Sequence, residues 1–311
     1  MNTPNIGWLY FKDYYEKLHR TDLNEYMETC KRKKEKPKFD FDNKNKCIFE
    51  QKLDDHRYNL LKISTANNSF IVRTEYPGLI TGTGITHDFS HEDALKLGFS
   101  FDHTTGLPYI PASSVKGMLR AYFPQRLLEI AEKKKKQAEK ENKPKLLEEA
   151  KMFEDKGKAI RDYLIANLAN LGVEGVTPDI LHRLELNIFE GYDGKPGKED
   201  KHRNSIYQRD IFFDAYPQFS GYEGNGSSKD AGRFLGEGVI TPHGTDPLKD
   251  PKPIKFLKIL PNVAFSFQFR LHDVTIDDIT IDTTKKYMLF RELLTQFGIG
   301  AKTNVGFGQM V

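Results

Sequence analysis

The sequence predicts an α+β protein with a ferredoxin-like core, extended by helices at its N-terminus and interrupted by a helical insertion. Three observations carry this. Phe265, Phe267 and Phe269 alternate with Ser266, Gln268 and Arg270, the two-residue period of a strand with one core face and one polar face. From Thr284 to about Phe297, Tyr287, Met288, Leu289, Leu293 and Leu294 recur at helical spacing, and Gly298 stands where a helix ends. Between Glu132 and Pro144 the pattern is helical but nearly all polar, as in a segment that projects from a core.

In chain order, Leu9, Tyr10, Tyr14, Leu18 and Tyr26 suit an amphipathic helix or helix pair from Trp8 to about Lys34. Lys31-Arg32-Lys33-Lys34 closes it, where cations favour a helix C-terminus. Phe70 to Tyr76 has the β-branched and aromatic content of a first core strand, stopped by Pro77-Gly78. Loops or short hairpins follow to Pro111, then Ala112-Ser113-Ser114 reads as the cap of a helix from Val115 to about Phe123. The insertion occupies about 126–171. Ile211 to Tyr216 reads as a strand stopped by Pro217, and Phe256 to Leu260 and Val263 to Leu271 as two more. A last strand runs from Val305 to Val311. Without insertions the order is strand, helix, strand, strand, helix, strand, the split βαβ pattern.

With 311 residues, 38% hydrophobic and 12% aromatic, the chain has enough apolar surface for a real core. Its 47 Lys and Arg against 44 Asp and Glu leave a net charge of +3, so bulk charge does not argue for nucleic acid and local patterning must. The cysteines Cys30 and Cys47 lie far apart with no CxxC spacing, which points to neither zinc nor a disulfide framework and suits a reducing cytoplasm. No basic-then-apolar leader opens the sequence and no apolar run approaches the roughly 18 residues of a membrane span, so neither export nor membrane insertion is expected.

Two motifs carry chemistry. In Gly298-Ile299-Gly300-Ala301-Lys302-Thr303-Asn304-Val305-Gly306-Phe307-Gly308, glycines permit close backbone approach while Lys302, Thr303 and Asn304 supply charge and donors for a phosphate chain. It is no Walker loop: Ala301, not glycine, precedes Lys302, and the loop leads from helix to strand. In Gly106 to Arg120, a serine-capped helix start offers N–H groups to an anion, and Lys116 and Arg120 lie one turn apart on a single face. Taken alone, the first also reads as a tight turn and the second as an ordinary capped helix. His87, His91 and His103 place no third metal ligand and read as structural.

Taken in order, Gly106 to Arg120, Asp210 to Pro217, Val239-Ile240-Thr241-Pro242-His243 and Gly298 to Gly308 resemble the sixth RAMP subunit of the type III-B CRISPR complex, Cmr. The resemblance extends from about Phe70 to the C-terminus, giving an N-terminal helical extension at 1–69 and a RAMP ferredoxin-like (RRM-like) domain at 70–311. It implies a non-catalytic subunit of an antiviral defence complex that holds the 3′ region of the guide RNA and meets target RNA through the guide duplex. Its protein partners would be other Cmr RAMP subunits, above all the repeated backbone subunit, with no cofactor and no metal. RNA binding then falls on Lys116, Arg120, Gly300, Lys302, Thr303, Asn304, Gly306 and Gly308. The chain departs from the family pattern at Ala112, where glycine is more usual, and at Gly244-Thr245-Asp246. A RAMP endoribonuclease that processes guide RNA is the alternative on the same fold, and an RRM-type module outside CRISPR defence a third.

Overall fold

The computed structural model describes residues 5–16, 20–34, 41–53, 61–82, 93–95, 99–193, 203–218, 232–241 and 253–311. In chain order these form α1 (Ile6–Phe11), α2 (Arg20–Lys33), α3 (Phe41–Phe49), β1 (Asn68–Arg73), α4 (Ala112–Ala121), α5 (Gln125–Glu141), α6 (Pro144–Asn170) and α7 (Pro178–Glu190). There follow β2 (Ile211–Phe212), β3 (Tyr216–Pro217), β4 (Leu235–Ile240), β5 (Ile254–Ile259), β6 (Ala264–Arg270), β7 (Val274–Ile276), β8 (Ile279–Ile281) and α8 (Thr283–Phe297).

The alternating phenylalanines make β6 the centre of the main sheet. It pairs antiparallel with β1, Phe70 opposite Phe267 and Val72 opposite Phe265, and on its other edge with β2 and β3. The C-terminal residues close the sheet beyond β1: Arg73 and Val311 exchange backbone hydrogen bonds of 2.7 and 2.9 Å, and the Glu75 amide donates to Gln309 (2.9 Å). The order is thus C-terminal segment, β1, β6, β2/β3, with α4 and α8 as the crossing helices, which is the ferredoxin-like arrangement. Phe70 packs edge-on to Tyr287 and Phe269 against Phe290, so this sheet face buries its aromatic rings on α8. The hairpins β4–β5 and β7–β8 stand beside the sheet.

Several expectations need correction. The polar face of β6 is covered, not open: Ser266 and Gln268 are buried, and Gln268 accepts from the Ile63 amide (3.0 Å) and donates to the Leu61 carbonyl (3.1 Å). A glutamine bonded at both ends can be enclosed at little cost. The strand expected over 211–216 breaks in two, because Ala215 turns aside to exchange backbone bonds with Ile110 (both 2.9 Å), and Pro217 lies within β3 instead of stopping it. The strand expected over 305–311 is reduced to a β-bridge between Met310 and Thr74 with its flanking hydrogen bonds, since Thr303–Val305 winds into a 3-10 turn. The sequence reading leaves 172–190 without an element, yet α7 is there with Thr177 as N-cap, Pro178 in its first turn and Gly191 as left-handed C-cap.

The insertion is the antiparallel hairpin α5–α6. Two of its lysines are paired across the helices, Lys134 with Glu149 and Lys135 with Glu154, and Gly157 lets α6 approach Leu128 of α5. Leu164 and Leu168 near the end of α6 enter the main core. So do Ile6, Tyr10, Tyr14, Phe41 and Ile48 from the N-terminal helices. Tyr14 is held at its hydroxyl, which donates to Asn45 (2.7 Å) and accepts from the Leu95 amide (3.0 Å). As expected, α2 ends in Lys31, Arg32 and Lys33. Among the described residues no helix is long and apolar enough to cross a membrane.

Candidate functional site

The glycine-rich loop leaves α8 at Gly298, whose amide donates to Leu294 (2.9 Å). Its glycines answer to the protein's own backbone. Gly300 and Gly308 have positive φ, and a Cβ at Gly300 would lie 2.5 Å from the Ile80 carbonyl oxygen, one at Gly308 1.9 Å from that of Ile299. Three hydrogen bonds fix the path: Ile299 to Gly308 (2.9 Å), Ala301 to Ile80 (2.9 Å) and Gly308 to Gly78 (2.8 Å). Phe307 anchors the loop from inside by packing edge-on to Phe256.

This inward packing turns the tip outward. Gly300, Lys302 and Asn304 are exposed, Thr303 and Gly306 half-buried, and Gly308 buried. Lys302 adopts the left-handed conformation (φ 62°) at this exposed tip. Lys302, Thr303 and Asn304 therefore share one exposed turn, whereas Gly308 serves the packing beneath it.

The second motif differs from its sequence reading. Helix α4 starts at Ala112 with Pro111 as N-cap, so Ser113 and Ser114 sit inside the first turn and make no capping hydrogen bond. The Asp214 carboxylate takes the Ala112 amide instead (2.6 Å), placing a negative charge of the protein's own where an anion was expected. Asp214 comes from the segment between β2 and β3, too distant in sequence for local pattern to reveal it. Lys116 lies over the Phe212 ring at 5.9 Å and Arg120 over Phe189 at 5.9 Å, on one face as expected. Arg120 is also paired with Glu190, so the positive field of this face comes chiefly from Lys116.

A strip at 78–81 joins the two motifs. Ile80 accepts from Ala301 of the loop, and the next hydroxyl, of Thr81, donates to the Tyr109 carbonyl (3.1 Å) just before α4. His103 is exposed and its carbonyl accepts from Asn5 (3.0 Å), while His87, His91 and His243 lie outside the described residues. Among the described residues no group of three or more His, Cys, Asp or Glu is placed to hold a metal.

Lys286, Asp210 and Glu185 are ionisable side chains buried behind the surface. Lys286 donates to Asp210 (2.7 Å) and Asn187 (3.0 Å), and Asp210 also accepts from the His272 amide (2.8 Å). Burial pushes Lys286 down and Asp210 up from their ordinary pKa values, and each opposes the shift of the other. The pair ties α8 to α7 and to the start of β2, beneath the face that carries Lys116. Glu185 on α7 is raised to about 7 by burial, against a hydrogen bond from the Gln125 amide that starts α5.

No curated protein matches the chain. Among solved structures it is similar to a chain of the type III-B Cmr-beta complex bound to cognate target RNA, with 20% identity and a TM-score of 0.42 over 94% of this chain and 75% of that one. It is also similar to Cmr6 from Pyrococcus furiosus, with 22% identity and a TM-score of 0.39 over 80% of this chain and 99% of that one. A Csm–crRNA–target RNA complex of a type III-A system follows at 18% identity and a TM-score of 0.23, over 60% of this chain and 42% of that one. The RAMP superfamily model matches residues 71–311, from β1 through the glycine-rich loop to the C-terminal segment that closes the sheet, and the chain belongs to the RAMP superfamily.

Proposed function

We propose that this chain is a non-catalytic, RNA-binding structural subunit of a type III-B CRISPR effector complex in the cytoplasm. It holds the 3′ region of the guide RNA and contacts neighbouring RAMP subunits, above all the repeated backbone subunit. The observation that carries this reading is the turn at Lys302, Thr303 and Asn304, presented outward from a RAMP core by glycines packed on residues 78–80. The type III-B assignment rests on the ordered motifs of the sequence.

A subunit that accepts any spacer must grip phosphate and sugar, because those contacts are blind to base identity. An ammonium with hydroxyl and amide donors on one exposed turn is suited to that. Lys116 offers a second ammonium on α4, and Arg120 reaches phosphate only by sharing its guanidinium with Glu190.

The test is Lys116→Ala with Lys302→Ala in the assembled complex, measuring guide affinity against salt. Each lost phosphate contact on single-stranded RNA should lower the log–log slope by about 0.7, equally for unrelated spacers. Unchanged affinity and slope would overturn the reading. The purified chain should also leave repeat RNA intact; specific cleavage would point to the processing ribonuclease instead.

A further inference from the structure

Tyr76 is the most exposed of the large hydrophobic residues described, at 84%. It stands on the turn that follows β1, directly beside the glycine-rich loop. Glu75 bonds to Gln309 (2.9 Å) and Gly78 to Glu75 (2.7 Å), so the backbone on both sides of the ring is pinned. A Cβ at Gly306 would touch the Pro77 ring at 3.5 Å, which places the loop tip against the turn. Val305, 61% exposed, adds apolar surface there, and Lys302 and Asn304 lie within the same turn of the loop. From below, the Lys258 ammonium donates to the Pro77 carbonyl (2.9 Å). Glu75 is the exposed acid at this site, next to Tyr76.

We infer that Tyr76 is a stacking platform for one unpaired RNA base, whose phosphate is held by Lys302 on the adjoining loop. The inference rests on the RNA-binding reading above and names a contact outside its phosphate grip. A ring and a valine offer about the area of one nucleobase, far short of the roughly 800 Å² per partner that a stable protein interface covers. Ammonium groups beside an aromatic face suit a nucleotide, since the ring takes the base and the charge takes the phosphate. Stacking is tolerant of sequence because every base has a π-face, so the platform is compatible with any spacer. It would order one nucleotide out of the helical stack and so set the register of the strand at this subunit.

The test uses the full-length chain with fluorescently labelled oligo-uridine and oligo-adenosine RNA, read by anisotropy across a salt series. Tyr76→Ala should weaken binding about tenfold, more for adenosine than for uridine, with the salt slope unchanged, while Tyr76→Phe stays within about twofold of wild type. Lys302→Ala should lower the slope by about 0.7. Because the side chain is exposed, the melting temperature of Tyr76→Ala should match wild type. If wild type binds and Lys302→Ala lowers the slope but Tyr76→Ala binds as wild type does, the platform is overturned and the phosphate grip stands. The same holds if Tyr76→Ala costs only association with another protein. If wild type binds neither RNA, the RNA-binding reading fails and the platform with it.

Discussion

At the scale of single residues, the buried charges set stability more than the surface ones do. Glu185 has a folded pKa of about 7, above the ordinary 4.5, so between those values the folded chain keeps a proton that the unfolded chain has released. Stability from this group is therefore greatest at low pH and falls as pH rises through the window, by as much as about 3 kcal/mol. Glu185→Gln keeps an acceptor for the Gln125 amide and should remove that slope, which denaturation at pH 5 and pH 8 would show. Lys286→Met leaves Asp210 buried and unpaired and should cost about 3–5 kcal/mol in the same measurement, with Asp210→Asn added to it recovering part. None of this was legible in the sequence. Lys286 falls among the lysines and polar residues that open α8, and only the fold shows that its ammonium ends between Asn187 and Asp210.

At the scale of elements, periodicity was the reliable signal and neighbours were the hidden one. Strand β6 and helix α8 could be read directly because their apolar spacing does not depend on what covers them. The buried polar face of β6 could not, since Leu61 and Ile63 supply its partners from far along the chain. The cap of α4 was misread for the same reason: two serines are the expected caps, but Asp214 arrives through the fold. Helix α7 was passed over although its boundaries are local, with Thr177-Pro178-Asp179 at its start and Gly191 at its end. Thr177→Ala should cost about 1 kcal/mol by removing the bond to the Ile180 amide. The glycines of the terminal loop announced a tight path without saying against what. Gly308→Ala forces a methyl into the Ile299 carbonyl, so it should lower the melting temperature and RNA affinity together, unlike Lys302→Ala, which should lower affinity alone.

For the whole molecule, what the sequence sets apart as extension and insertion contributes unequally to the core. Deleting residues 1–16 removes Ile6, Tyr10 and Tyr14, all fully buried, and should destabilise the chain by several kcal/mol, given about 2–5 for each large buried side chain lost. Replacing 131–154 with a short Gly-Ser turn should barely move the melting temperature, because Leu164 and Leu168 anchor α6 below the cut. The arrangement also dictates a timetable. The turn bearing Lys302 takes its shape only when residues near the start of the RAMP domain meet residues near its end, through Ile80 with Ala301 and Gly78 with Gly308. Contacts so distant in sequence form late, after the loop entropy between them has been overcome. The turn at Lys302 thus matures last, and on the proposed RNA-binding reading a partly folded chain has no competent turn with which to seize a guide ahead of assembly.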